Sequence, residues 1–149
     1  THNGYQNNQW ALWYTFGTFT YHAKCKISIN YSVPIRNDSG SWGGLYTELK
    51  YKCSSSPNPN TYYTLGSAGH TNVMSWNTHH IERVNVDYLL DLTDLNAGGD
   101  LTIQVWHRSY NGSTRINAGC GEGTGTRWTN SMINLNQNKA KMIVKVHNK

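Results

Sequence analysis

Charge is scarce in this chain. Asp, Glu, Lys and Arg make up 14% of it, against roughly 25% in an average soluble protein. The eight carboxylates are Asp38, Glu48, Glu82, Asp87, Asp91, Asp94, Asp100 and Glu122. A glycosidase needs two of them facing one another across a scissile bond. Nothing in their spacing marks such a pair, and Asp87 and Asp91 read as solvated caps at a strand end. Cysteine is also sparse, with only Cys25, Cys53 and Cys120. None forms a Cys-x-x-Cys pair, so a zinc knuckle is disfavoured, and a disulfide-dense secreted scaffold is excluded. The odd count leaves at least one thiol free or paired between chains, and three buried free thiols are the favoured reading. No run approaches the length of a transmembrane helix, so no membrane insertion is expected. The opening Thr1-His2-Asn3-Gly4 is neither a start methionine nor a signal peptide. The expected context is therefore the C-terminal part of a longer protein.

Asn, Ser, Thr, Gly and Tyr take the place of charge. Ten Tyr and six Trp are many for 149 residues. They supply rigid, amphipathic contact area at low entropy cost and argue against disorder. The net charge is +5 with His neutral. The basic residues are scattered without a run, so an ordinary basic surface is favoured over a nucleic-acid site.

Alternation of period two dominates the chain. Trp10, Leu12, Tyr14 and Phe16 fall on one face of a first strand, with Trp13, Phe19 and Tyr21 on the other. Cys25, Ile27, Ile29, Tyr31 and Val33 then alternate with Lys24, Lys26, Ser28 and Asn30, as on a sheet with one buried and one wet face. Leu45, Thr47, Leu49, Tyr51 and Cys53 alternate with Tyr46, Glu48, Lys50 and Lys52. Residues 54–60 read as an exposed loop, Tyr62 to Leu65 as a short strand, and 66–77 as a Gly-rich polar segment. A long strand is predicted over 81–92, with Val84, Val86, Tyr88 and Leu90 on one face. Leu101, Ile103 and Val105 mark another. Asn111-Gly112 is the best hairpin turn, returning through Thr114 and Ile116. Strands near 128–135 and 141–146 close the chain, the last docked centrally in a sheet or at a subunit interface. No helical periodicity, repeat or second domain is present. The expectation is a single all-β domain over 1–149, an antiparallel β-sandwich of about eight or nine strands.

Chemistry-bearing motifs are few. His79 and His80 are adjacent, so on a strand they point to opposite faces. His70 and His107 would have to join one of them in space to make a metal site. No metal-binding spacing exists, and surface or half-buried histidines are the favoured reading. Cys120 lies in the Gly-rich run 119–125, which lacks the lysine of a phosphate loop and has no base beside the thiol. Asn30, Asn37 and Asn111 fit the N-x-[ST] pattern, but about three matches are expected by chance in so Asn-, Ser- and Thr-rich a chain. The most informative constellation is aromatic side chains in loops: Trp42, Tyr62, Tyr63, Trp76 and Trp128. Their faces suit the apolar faces of sugar rings, with neighbouring Asn, Asp and His to hold hydroxyls. The plainer reading is that they cap the ends of the sandwich core.

Several stretches resemble a known family. Val33-Pro34-Ile35-Arg36, the run Ser41 to Tyr46, Leu49-Lys50-Tyr51, the run Leu65 to His70, and above all Ile103 to Gly112 are similar to a recurrent C-terminal domain of phage and marine-virus structural proteins. The late Trp128-Thr129 and the terminal strand match the same pattern. The resemblance runs from about Lys24 to Val146. It implies a C1q/TNF-like jelly roll, a homotrimer at the tip of a fibre or spike on the virion surface, and a role in host attachment, without identifying the receptor. The partner expected for that role, from the loop aromatics, is a host-surface glycan or receptor. The resemblance transfers no catalytic motif and no cofactor. The chain departs from the pattern in its Lys-rich end (Lys139, Lys141, Lys145 and Lys149), where the family finish is more acidic. The expectation is thus a receptor-binding domain and not an enzyme, with Trp42, Tyr62, Tyr63, Trp76 and Trp128 as ligand-binding residues. No metal, cofactor or nucleic-acid partner is expected. The rival readings are a structural capsid or fibre-cap domain without ligand, a stand-alone carbohydrate-binding module, a secreted enzyme on a jelly roll, and a nucleic-acid-binding domain.

Overall fold

A computed structural model describes residues 5–7, 9–37, 43–74, 81–109, 113–116 and 140–147. Among them lie nine strands and no helix. These are β1 (Tyr5–Asn7), β2 (Ala11–Tyr21), β3 (Cys25–Asn37), β4 (Gly43–Cys53), β5 (Tyr63–Met74), β6 (Ile81–Leu92), β7 (Gly99–Ser109), β8 (Ser113–Ile116) and β9 (Lys141–His147). The expected all-β sandwich of antiparallel strands is what forms.

The strands make two sheets. In the first, β3 pairs along its whole length with β6. On its other edge β9 pairs with Lys26 to Ser32 and β8 with Ile35 to Asn37, so β9 and β8 lie end to end, with β1 beyond β8. The second sheet has the order β2-β7-β4-β5. From β1 to β8 every connection passes from one sheet to the other, except the link from β4 to β5.

The core lies between the sheets because each strand supplies apolar side chains at every second position. Ile27, Ile29, Tyr31, Val33 and Ile35 of β3 and Val84, Val86, Leu90 and Leu92 of β6 face Leu45, Leu49, Leu101, Ile103 and Val105 of β4 and β7, all buried. Burying one such aliphatic side chain contributes about 1.5–3 kcal/mol. Polar groups are buried as well, Thr47 and His107 fully and Ser32 nearly so. His107 of β7 is fully buried, with Nε2 at 3.0 Å from Tyr31 Oη of the opposite sheet and Nδ1 at 3.1 Å from Thr47 Oγ1 of β4. Trp13 packs on the same imidazole at 5.6 Å between ring centroids. Burial holds the Tyr31 phenol well above its ordinary range, with the Arg83 charge a smaller opposing influence. Cys25 and Cys53 are buried free thiols, and burial pushes the Cys53 thiol up.

Four expectations need correction. The first strand does not split into the two faces that simple alternation gives. Phe16 joins Trp13, Phe19 and Tyr21 against the core, while Leu12 and Tyr14 are exposed. Register shifts after Leu12 and after Phe16 insert extra residues opposite β7 and reverse the parity. The short strand expected over Tyr62 to Leu65 begins at Tyr63 and continues to Met74, into the segment that reads as Gly-rich and polar. Among the described strands it pairs with β4 alone, and such an edge tolerates glycine and polar residues. The strands flanking Asn111-Gly112 do not form a hairpin. β7 lies in one sheet, while β8, with Thr114 and Ile116, pairs with β3 and β1 in the other. Asp87 is not at a strand end. It sits within β6 and accepts a 2.5 Å hydrogen bond from Asn30 Nδ2 of β3. Asp91, by contrast, does cap the end of β6. It accepts from the backbone N–H and the hydroxyl of Thr93 at 2.9 and 2.6 Å, and these bonds hold its carboxyl below the usual range.

Candidate functional site

Four aromatic residues outside the core, Trp10, Tyr46, Tyr62 and Trp106, gather on the outer face of the β2-β7-β4-β5 sheet. The cause is register. Positions 102, 104, 106 and 108 of β7 alternate with its buried positions, as do 46, 48, 50 and 52 of β4. Pairing then lines these outward residues up in rows. Trp10 neighbours the row in which Arg108 stands opposite Tyr46. Leu12, Trp106 and Glu48 form the next row, Thr15, Gln104 and Lys50 the third, and Thr102 and Lys52 the fourth.

Cations lie over rings along this face. Arg108 Cζ is 4.4 Å from the centroid of Tyr46 and 5.5 Å from that of Trp10. Lys50 Nζ is 4.5 Å above Trp106, and Lys52 Nζ is 5.1 Å above Tyr62. Contacts of this kind contribute about 0.5–1 kcal/mol each at exposed sites. Trp10 and Tyr46 are 6.4 Å apart. Trp106 Nε1 donates to Gln104 Oε1 at 3.0 Å, which fixes the plane of the indole. The one acid within the rows, Glu48, accepts from Thr64 Oγ1 at 3.0 Å. Trp10 and Leu12 remain 38% and 44% exposed.

At the Lys52 end the face opens into a depression of about 270 Å³ lined by Thr18, Lys52, Ser54, Asn60, Asp100 and Thr102, with Pro59 at its rim. The 54–62 loop forms one wall and is tied down at its base. Ser54 N donates to Asp100 O at 3.0 Å and Asp100 N to Ser54 Oγ at 2.8 Å. Tyr21 Oη donates to Ser55 Oγ, 2.6 Å away, while Ser55 Oγ donates to Ala97 O at 2.9 Å. Close backbone approach requires glycine here. A Cβ on Gly98 would come within 2.5 Å of the Tyr21 carbonyl oxygen. Hydroxyls, an amide, one ammonium and one carboxylate around an open hollow suit the hydroxyl-rich surface of a sugar and offer no nucleophile paired with a base.

The two tyrosines singled out from the sequence part company. Tyr62 belongs to this face, beneath Lys52. Tyr63, the first residue of β5, stacks on Tyr51 at 5.9 Å beside a cleft of about 170 Å³ at the end of the sandwich, and its Oη accepts from Asn58 Nδ2 at 3.2 Å. Tyr63 stays 39% exposed there, outside the core cluster and away from the outer sheet face. Trp42, Trp76, Trp128, Cys120, His79 and His80 lie outside the described residues, as does the strand expected near 128–135. His107, one of the histidines considered for a metal site, is committed to the core. Trp10, Tyr46, Trp106 and Arg108 were not apparent as a set in the sequence. The available signal was aromatic residues at the wet positions of two alternating strands, but it needed the pairing of β4 with β7 to become a site.

No family model, no curated protein and no solved structure matches the chain. The class that fold and surface define is a β-sandwich with an aromatic, cation-bearing sheet face.

Proposed function

We propose that this chain is the jelly-roll tip domain of a viral fibre or spike protein, that it forms a homotrimer, and that it attaches the virion to a host-surface glycan. The observation that carries the binding role is the outer face of β7 and β4, where the rows holding Trp10, Tyr46 and Trp106 lead along the strands to a hydroxyl-lined hollow at the Lys52 end. Aromatic faces stack on the apolar faces of sugar rings, and the hollow supplies donors and acceptors for the hydroxyls. The jelly-roll assignment draws support from the strand orders. With β9 set aside, the orders β1-β8-β3-β6 and β2-β7-β4-β5 follow the interleaving of a double-sheet wrap of eight strands.

The trimer reading draws support from the opposite face of the molecule. Leu89 of β6 and Ile143 of β9 are 61% and 59% exposed and line, together with Ser28, Asn30, Asp87 and Lys145, a hollow of about 440 Å³. Exposed apolar side chains grouped in this way mark interaction surfaces, and a ring of three copies closes on itself. Trimerisation would multiply weak single-site affinity by avidity.

Light scattering and a glycan array test the two halves separately. A mass of three chains with glycan binding is the expected result. A monomer that binds glycans overturns the fibre-tip assignment in favour of a stand-alone carbohydrate-binding module. A trimer that binds none favours a structural cap.

A further inference from the structure

We infer that the ligand of the β7–β4 face is an anionic glycan, a chain bearing sulfate or carboxylate groups, bound along the rows from Arg108 to Lys52. The inference rests on the glycan-binding reading above and specifies its ligand class. The argument turns on what already occupies the rings. Lys50 covers Trp106, Lys52 covers Tyr62, and Arg108 covers Tyr46 and reaches Trp10. A sugar that stacks on the covered face of Tyr46, Trp106 or Tyr62 must first displace the cation above it. A neutral sugar gives the displaced cation nothing in return. A sulfate or carboxylate accepts hydrogen bonds from that cation as it swings aside, so the group that opens the platform also holds the ligand on it.

The placement of charge fits an extended chain rather than a single sugar. From the Arg108 row to the Lys52 row is three two-residue steps along β4, a span of about 20 Å at the usual rise of a strand. Cations stand at both ends and at Lys50 between them. The opposing carboxylates are Glu48, bonded to Thr64, and Asp100 in the hollow beyond Lys52. Asp100 sits where a hydroxyl-bearing end of the chain would lie, not an acidic one.

Titration calorimetry with four probes tests the inference: heparin-derived and hyaluronan oligosaccharides for the sulfated and carboxylated cases, a neutral chitooligosaccharide, and a single-stranded DNA oligonucleotide. The expected result is binding of at least one anionic oligosaccharide more tightly than the neutral one. That binding should weaken as the Debye length shortens with added NaCl and fall about tenfold or more in the Lys50→Gln/Lys52→Gln variant. Both substitutions lie on the outer face, so an unchanged melting midpoint shows that the variant is folded. Equal or tighter binding of the neutral glycan, or tighter neutral binding once the lysines are removed, overturns the anionic assignment and leaves the glycan reading standing. Tighter binding of DNA than of any glycan overturns both and marks a stacking surface for single strands. Binding of none of the four also overturns both.

Discussion

The buried contact between the two sheets through His107 makes a quantitative prediction. Replacing His107 by Phe removes the hydrogen bonds to Tyr31 Oη and Thr47 Oγ1 and leaves two hydroxyls in an apolar core. An orphaned buried polar group costs about 1–3 kcal/mol, so the variant should lose about 3 kcal/mol, within a range of about 2–6. For 149 residues, an unfolding entropy of about 2.1 cal/mol/K per residue makes that a fall of about 10 °C in Tm. The informative step is the second substitution. Tyr31→Phe in the native background removes the hydrogen bond between the phenol and the imidazole and should cost about 0.5–1.5 kcal/mol or more. Added to His107→Phe, the same change deletes one of the stranded hydroxyls and should recover about 1 kcal/mol or more. Any misfit of the Phe ring at 107 is common to both variants and cancels from that difference. Urea unfolding at one fixed protein concentration, with unchanged slopes, measures all three. A double variant less stable than His107→Phe alone would refute the bridge between Tyr31 and His107.

The remaining predictions concern ionisation, close backbone contact and thiol reactivity. Because burial raises the Tyr31 pKa in the folded state, its contribution is fully present below the ordinary phenol value of about 10 and is lost as pH rises beyond it, at up to about 1.4 kcal/mol per pH unit. Unfolding measured across the alkaline range should therefore show a shallower decline for Tyr31→Phe, and an identical decline would refute the shift. Gly98→Ala brings a methyl group against the Tyr21 carbonyl and His22 Cα and should cost about 1–3 kcal/mol. Gly17→Ala meets nothing within 4 Å and should leave the unfolding midpoint nearly unchanged. Cys25 and Cys53, both buried, should resist alkylation in the native protein and react after unfolding. Peptide-level mass spectrometry distinguishes them, and native labelling of Cys53 would contradict its burial.

Much of the fold follows from the order of residues alone, because a strand exposes its two faces at a period of two. Most of the buried side chains of β3, β4 and β6 are those that alternation picks out, although Tyr51 and Tyr88 are only half-buried and Ser32 and Pro34 are buried on the other parity of β3; β6 begins and ends at 81 and 92 as its apolar pattern predicts. Pairing was not legible. Bulges reverse the faces of β2, edge position lets β5 run through glycine, and Asn111-Gly112 stands between strands of different sheets. Turn chemistry is local, whereas the choice of partner depends on which sheet has a free edge. The same limit applies to the site. Tyr62 was legible because an aromatic residue beside a Pro-Asn loop is conspicuous. Trp106 and Arg108, by contrast, are scarcely distinguishable in sequence from ordinary wet-face residues of β7. The sequence by itself determined the material: alternating strands, a surplus of aromatic rings over what the core needs, and a mild excess of basic charge. Only the tertiary structure decided that Lys50, Lys52 and Arg108 lie over those rings on one face. Cross-strand register, which no single strand encodes, sets which side chains become neighbours.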